Sequence, residues 1–132
     1  MKIIPFRPEH LDELPGQYAP GHGVALAAAG PAYSAVDGNA VIACAGLMKQ
    51  WDERAIAWAI MAAETGRHML AITRAVKRGM ALHPFRRIEA AVRADFEAGH
   101  RWMEMLGFSV EAPRMEAYTP DGADAVLYAK VV

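Results

Sequence analysis

The apolar residues of this chain keep two different periods. From Ala55 to Ala63 they run without a break, Ala-Ile-Ala-Trp-Ala-Ile-Met-Ala-Ala, which predicts a strand. A polar segment, Glu64-Thr65-Gly66-Arg67-His68, follows. From there the period changes: Met69, Ile72, Thr73, Val76 and Met80 fall on one helical face, so the spacing predicts a helix from Met69 to Leu82. Thr65 is its expected N-cap, with Gly66, Arg67 and His68 as the first turn. His83-Pro84 ends it. Arg87 to Val92 is the next strand, and Asp95 is the expected N-cap of a second helix with Phe96, Gly99, Met103 and Leu106 inward. Gly107 is that helix's closing glycine. The unit reads strand, loop, helix, strand, helix. The loop before the first helix is the expected ligand site, because a helix start presents unpaired N–H groups and positive dipole to an anion.

Upstream, Lys2 to Phe6 reads as a strand and Pro8 to Leu14 as a brief helix with proline in its first turn. Residues 15–31 are rich in proline and glycine around Val24 to Ala29, and read either as one small helix or as a loop lining a cleft. Ala32 to Val36 is a strand, Asp37-Gly38 a two-residue hairpin turn, and Ala40 to Met48 a returning strand whose continuous apolar character implies burial on both faces. Lys49 to Arg54 is a polar turn. Downstream, Phe108 to Val110 and Met115 to Thr119 read as one interrupted strand, Pro120-Asp121-Gly122 as a turn, and Ala125 to Val131 as the last strand. The whole predicts an α/β protein with a mixed sheet. An antiparallel N-terminal meander leads to a central parallel pair joined by a right-handed crossover helix, and a C-terminal hairpin follows.

Composition narrows the functional classes. At 132 residues, 54% hydrophobic and 22% charged, the chain reads as a single globular domain over residues 1–132. A net charge of −1 argues against nucleic-acid binding, and no apolar run approaches the roughly 18 residues of a membrane span. Met1 leads directly into a strand, so no signal peptide is expected. The single cysteine, Cys44, lies in an apolar strand and reads as structural, which fits a cytoplasmic setting. The five histidines have no metal-ligand spacing, and no metal site is expected. No nucleophile elbow or phosphate-binding P-loop is present.

The element order, together with Ala55 to Ala63, the loop Glu64 to His68 and the segment Phe96 to Phe108 with its terminal Leu106-Gly107-Phe108, resembles the GNAT superfamily of acetyl-CoA-dependent N-acetyltransferases. Trp58, Arg101-Trp102, Leu106-Gly107-Phe108, Tyr118, Gly122, Asp124 and Tyr128 look like a group of small phage-encoded GNAT-like proteins, some labelled internal virion protein. The resemblance implies a GNAT-like fold and acetyl-CoA as co-substrate. It also implies that an amine, on a small molecule or a protein, attacks the thioester directly. The pantetheine arm would lie along Met61, Ala62 and Ala63, and the pyrophosphate on the N–H groups of Gly66, Arg67, His68 and Met69. Asp95 would serve as base and Tyr118 as a cleft hydroxyl; their bland readings are a helix cap and an exposed strand residue.

The chain departs from the family pattern. Of the usual loop only Gly66 matches: Ala63 and His68 replace the leading Gln or Arg and the last small residue, and Glu64 adds negative charge. Met103 stands where the family commonly has its tyrosine acid. The alternative reading is a non-catalytic phage protein on a degenerate GNAT fold. It would be a virion component or a host-protein binder, placed in the host cytoplasm or the virion. On either reading the Met-rich last helix and terminal strands offer surfaces for a homodimer.

Overall fold

The computed structural model describes residues 1–16 and 18–132. Its strands are β1 (Lys2–Pro5), β2 (Ala32–Asp37), β3 (Ala40–Trp51), β4 (Arg54–Met61), β5 (Arg87–Arg93), β6 (Ser109–Met115) and β7 (Ala125–Val131). They form one mixed sheet in the order β1-β2-β3-β4-β5-β7-β6. The α-helices are α1 (His22–Ala29), α2 (Met69–Leu82) and α3 (Glu97–Met105), and short 3-10 helices cover Pro8–Glu13 and Ala63–His68. The order of elements is the one the sequence predicts. Residues 15–31 contain the small helix, α1, rather than an open loop. Two compact units are present: Met1–Lys49 with Ala57–His83, and Gln50–Ile56 with Pro84–Val132.

The first unit is held by Phe6, Leu11, Leu14, Leu26, Val41 and Cys44, with Trp58 and Ile60 of β4 packed against them. The Phe6 and Trp58 rings meet edge-on at 5.3 Å. Beneath them runs a buried polar chain. The Arg7 N–H donates to His10 Nδ1 (3.2 Å), which makes that nitrogen an acceptor. The Ser34 hydroxyl therefore donates to it (2.7 Å), and the Cys44 thiol approaches Ser34 Oγ at 3.2 Å. Burial pushes the Cys44 thiol up, so it is unreactive and serves packing.

The second unit is built on β5, whose Ile88, Ala90 and Val92 alternate inward. β5 pairs antiparallel with β7 from Arg87/Val131 to Arg93/Ala125. α3 lies close to β5 because Gly99 has no side chain: a Cβ there would come within 2.8 Å of Val92 Cγ1. The helix closes as its glycine predicts. Phe108 N–H donates to Met103 O (2.9 Å) and Gly107 N–H to Glu104 O (3.0 Å), with Gly107 at φ +88°.

Several sequence expectations are corrected. β3 extends through Lys49-Gln50-Trp51, so the turn shrinks to Asp52-Glu53; the Trp51 ring stacks on Arg54 at 4.9 Å and carries the strand further. The β2–β3 turn is Gly38-Asn39, because Asp37 still pairs with Ala40. Asp95 does not cap α3, since its carboxylate accepts from Arg93 Nε (2.9 Å) and Phe96 takes the N-cap position. Phe96 is exposed, not inward. Tyr118 is not in a strand. β6 stops at Met115, and Tyr118 N–H and Thr119 N–H both donate to Ala123 O, which closes a loop instead.

Candidate functional site

The strand end and helix start singled out by the sequence lie in the first unit. The parallel register between β4 and β5 covers Arg54/Arg87, Ala55/Ile88 and Ile56/Glu89. β4 continues to Met61 beyond that register. Ala62 N–H donates to Ile42 O (2.8 Å), so the backbone of Ala62 faces β3. Its carbonyl accepts from Thr65 N–H (3.2 Å) and from the Thr65 hydroxyl (2.8 Å). Because successive strand residues point their backbone groups to opposite edges, Met61 N–H and C=O point away from β3. Of the two arm-binding backbones named from sequence, Ala62 is committed internally, and Met61 turns to the other side of the strand.

The loop is wound as the 3-10 helix Ala63–His68. Such a helix bonds each N–H three residues back. Met69 N–H accordingly donates to Gly66 O, and the N–H groups of Gly66, Arg67 and His68 follow the same winding. Thr65 is buried and its hydroxyl points backward to Ala62, so it does not cap α2. His68 is the N-cap residue and makes no side-chain cap. A Cβ on Gly66 would meet no atom within 4 Å, so the space above this residue is open.

The Arg67 guanidinium and the His68 ring converge on one carboxylate. Arg67 Nη2 lies 2.9 Å, and His68 Nε2 3.1 Å, from Asp37 Oδ2 at the end of β2. Hydrogen bonds from His68 and then Arg67 hold the Asp37 carboxyl below its ordinary range. Asp37 is the residue that sequence reading missed. It lies about thirty positions upstream, and only its acidity beside a turn hinted at it. Glu64 is exposed and adds to the negative charge around the loop. Ala63 opens the 3-10 turn and is exposed.

The first unit also holds a 580 Å³ cavity between the 3-10 helix Pro8–Glu13 and α1. Glu9, Asp12, Tyr18 and His22 bring its polar groups, over an apolar wall that includes Leu11 and Val24. The Tyr18 and His22 rings stack at 5.7 Å. Its acidic lining suits a cationic group.

The catalytic candidates lie in the second unit. Asp95 is exposed at the end of β5 and paired with Arg93, which also binds Asp121 through Nη1 (2.8 and 2.9 Å). Tyr118 is 56% exposed on the loop after β6. Met103 is buried on the inner face of α3. His100 and Tyr128 form a pair with no signature in the spacing. His100 Nε2–H donates to Ala94 O (2.9 Å), which leaves Nδ1 to accept from the Tyr128 hydroxyl (2.8 Å). Burial, then the charges of Glu104 and Glu97, push the Tyr128 phenol up, so it holds α3 on β7 and is poorly suited to giving up a proton.

No protein-family model matches the sequence, and no curated protein does. Solved structures do. Ard1 from Thermoplasma volcanium superposes with a TM-score of 0.80 at 16% identity, covering 99% of this chain and 97% of its own. An N-acetyltransferase from Staphylococcus aureus Mu50 gives 0.80 at 7% identity, with 98% and 96% covered. A GNAT-family acetyltransferase from Bacillus anthracis gives 0.69 at 14%, with 98% and 93% covered. This chain has a GNAT fold. Within that fold, the β4 end and the Ala63–His68 segment stand where the sequence resemblance puts the cofactor arm and its pyrophosphate. The open space over Gly66 fits such a ligand. The loop N–H groups expected to hold the pyrophosphate are taken up by the 3-10 winding, and the Arg67 and His68 side chains fit only if the ligand's phosphates displace Asp37.

Proposed function

We propose that this protein binds an acyl-CoA along Met61 and the Gly66 loop and transfers the acyl group to an amine. The observation that carries the reading is the GNAT fold, together with the open space above Gly66 where β4 leads into α2. Phosphate oxygens at the α2 start would take over Arg67 and His68 from Asp37, with Ala63 and Met69 flanking them. Arg67 is 74% exposed on its side chain, so its tie to Asp37 is open to competition from a ligand anion. The acidic cavity at Glu9 and Asp12 is the acceptor region in this reading. The amine forms the new N–C bond as the C–S bond breaks. Its proton passes to solvent, and the departing thiolate is protonated by water. Positioning of the two reactants supplies most of the rate, since Met103 offers no acid.

Isothermal titration with acetyl-CoA tests this reading. Binding in the micromolar range is expected, with a loss of at least roughly a hundredfold in Gly66→Trp, whose ring would fill the open space. A wild-type protein that stays silent at millimolar acetyl-CoA sinks the proposal. Asp37→Asn should act in the opposite direction. By freeing Arg67 and His68 it tightens acetyl-CoA roughly threefold to tenfold at low salt, an advantage that salt erases. Unchanged affinity in this variant would mean that these two side chains do not meet the phosphates.

A second reading is favoured by three observations: the 3-10 winding of the loop, the Asp37 clamp and the buried Met103. It is a non-catalytic protein on the GNAT fold, a phage virion component or a host-protein binder. Failure of the titration selects it.

A further inference from the structure

Charge is segregated along this chain to a degree that neither cofactor nor acceptor binding accounts for. Between Thr65 and Ile88 lie Arg67, Arg74, Lys77, Arg78, Arg86 and Arg87, and not one acidic residue, in a chain whose net charge is −1. Arg67 is tied to Asp37, and Arg87 to Glu89 and Glu111. Arg74, Lys77 and Arg78 make no ion pair or hydrogen bond with any described residue. All three are exposed on α2, together with Leu70, Ala71, Ala81 and Leu82. At about 100° per residue these seven positions occupy one continuous face, opposite the inward-facing Ile72 and Thr73. Leu70 and Leu82 are 62% and 71% exposed, at the two ends of that face. They are separated by about 18 Å at 1.5 Å per residue.

We propose that this face of α2 docks an acidic amphipathic helix of another protein, its carboxylates on Arg74, Lys77 and Arg78 and its apolar side chains on Leu70 and Leu82. Charge complementarity fixes the sign of the partner, and the two leucines fix its class. A nucleic acid would want aromatic side chains to stack on, or a strongly basic domain, and this face has neither. A lipid surface would want a continuous apolar stripe, whereas here cations separate the two leucines. The cations begin two helical turns beyond Gly66, so the surface is separate from the loop that the acyl-CoA reading uses. It stands whether or not that reading does.

The test is fluorescence anisotropy on the full chain. The probe is a labelled 20-residue helical peptide with glutamates spaced four apart and a leucine at each end of the same face. Binding should weaken steeply between low and physiological salt. It should fall at least roughly tenfold in the triple variant Arg74→Glu, Lys77→Glu, Arg78→Glu, and roughly threefold in Leu70→Ala with Leu82→Ala. Thermal melting checks that the variants remain folded, and all five substitutions are at exposed positions. Acetyl-CoA titration of the triple variant should match the wild type. Equal peptide binding by the triple variant overturns the proposal. So does displacement of the peptide by an oligouridine or by anionic vesicles at matched charge, which would assign the face to RNA or to lipid. A parallel loss of acetyl-CoA binding in the triple variant would assign the cations to the cofactor instead and overturn it as well.

Discussion

Gly30→Ala should destabilise the protein by about 3 kcal/mol, at the upper end of what overpacking costs. The chain enters β2 through Gly30-Pro31 against the backbone of β3, where Leu47 N–H donates to Pro31 O at 2.9 Å. A Cβ on Gly30 would lie 2.2 Å from Leu47 O and 3.4 Å from Lys49 N. Both are backbone atoms within a paired strand, so neither can turn aside as a side chain would. Relief requires moving the strand entry by about an ångström, which breaks the hydrogen bond that registers β2 on β3. Two control substitutions separate this steric effect from ordinary loss of glycine freedom. Gly38→Ala meets no neighbour but sits at φ +62°, and should cost about 1 kcal/mol. Gly66→Ala meets no neighbour and needs no left-handed backbone, and should be close to neutral. Urea unfolding of the three variants reads the ranking directly. A Gly30→Ala protein no less stable than Gly38→Ala would show that the β2 entry yields.

Acid should expose the ion-pair ladder of the second unit. Glu89 accepts from Arg54 Nε (2.6 Å) and Nη2 (2.9 Å) and from Arg87 Nε (2.7 Å), and Arg87 continues to Glu111. The Glu89 side chain is 12% exposed. Hydrogen bonds from Arg54 first, with Arg87 behind it, hold its carboxyl at about 2 instead of the ordinary 4.5. A depressed carboxyl stabilises the fold above its unfolded pKa and ceases to do so as pH falls through the folded one. The contribution is therefore complete above about pH 5.5 and fades between pH 5 and pH 2. Allowing for screening near the sheet surface, it is worth about 2 kcal/mol at neutral pH. Glu89→Gln should lose that amount at pH 7, and the gap to the wild type should close toward pH 2. A gap that stays constant across this range would mean that the substitution acts through packing and not through charge.

Much of this architecture was legible in the chain, for local reasons. The helical offsets of Met69, Ile72, Thr73, Val76 and Met80 describe the buried side of α2, because a single face of a helix must meet the sheet. Gly107 announced the end of α3, since the C-terminal closure there needs a left-handed residue that glycine supplies without strain. Alternation made β5 readable, and the uninterrupted apolar run of β3 marked Cys44 as a buried thiol. The caps were misread. Thr65 and Asp95 are good capping residues in isolation, but each found a nearer partner, the Ala62 carbonyl in one case and the Arg93 guanidinium in the other. Tyr118 looked like a strand residue because β propensity carries no information about where a partner strand ends.

What the sequence determined by itself was the order of elements, the periods that build them, and the place of the loop between β4 and α2. What only the tertiary structure decided was the state of that loop. Asp37 reaches Arg67 and His68 because β2 ends beside the start of α2, and nothing in a spacing of thirty residues says so. The pairing of His100 with Tyr128 and the ladder from Arg54 to Glu111 have the same origin. Each joins segments far apart in the chain, so its geometry depends on strand register, which is set by the whole sheet and not by any local stretch.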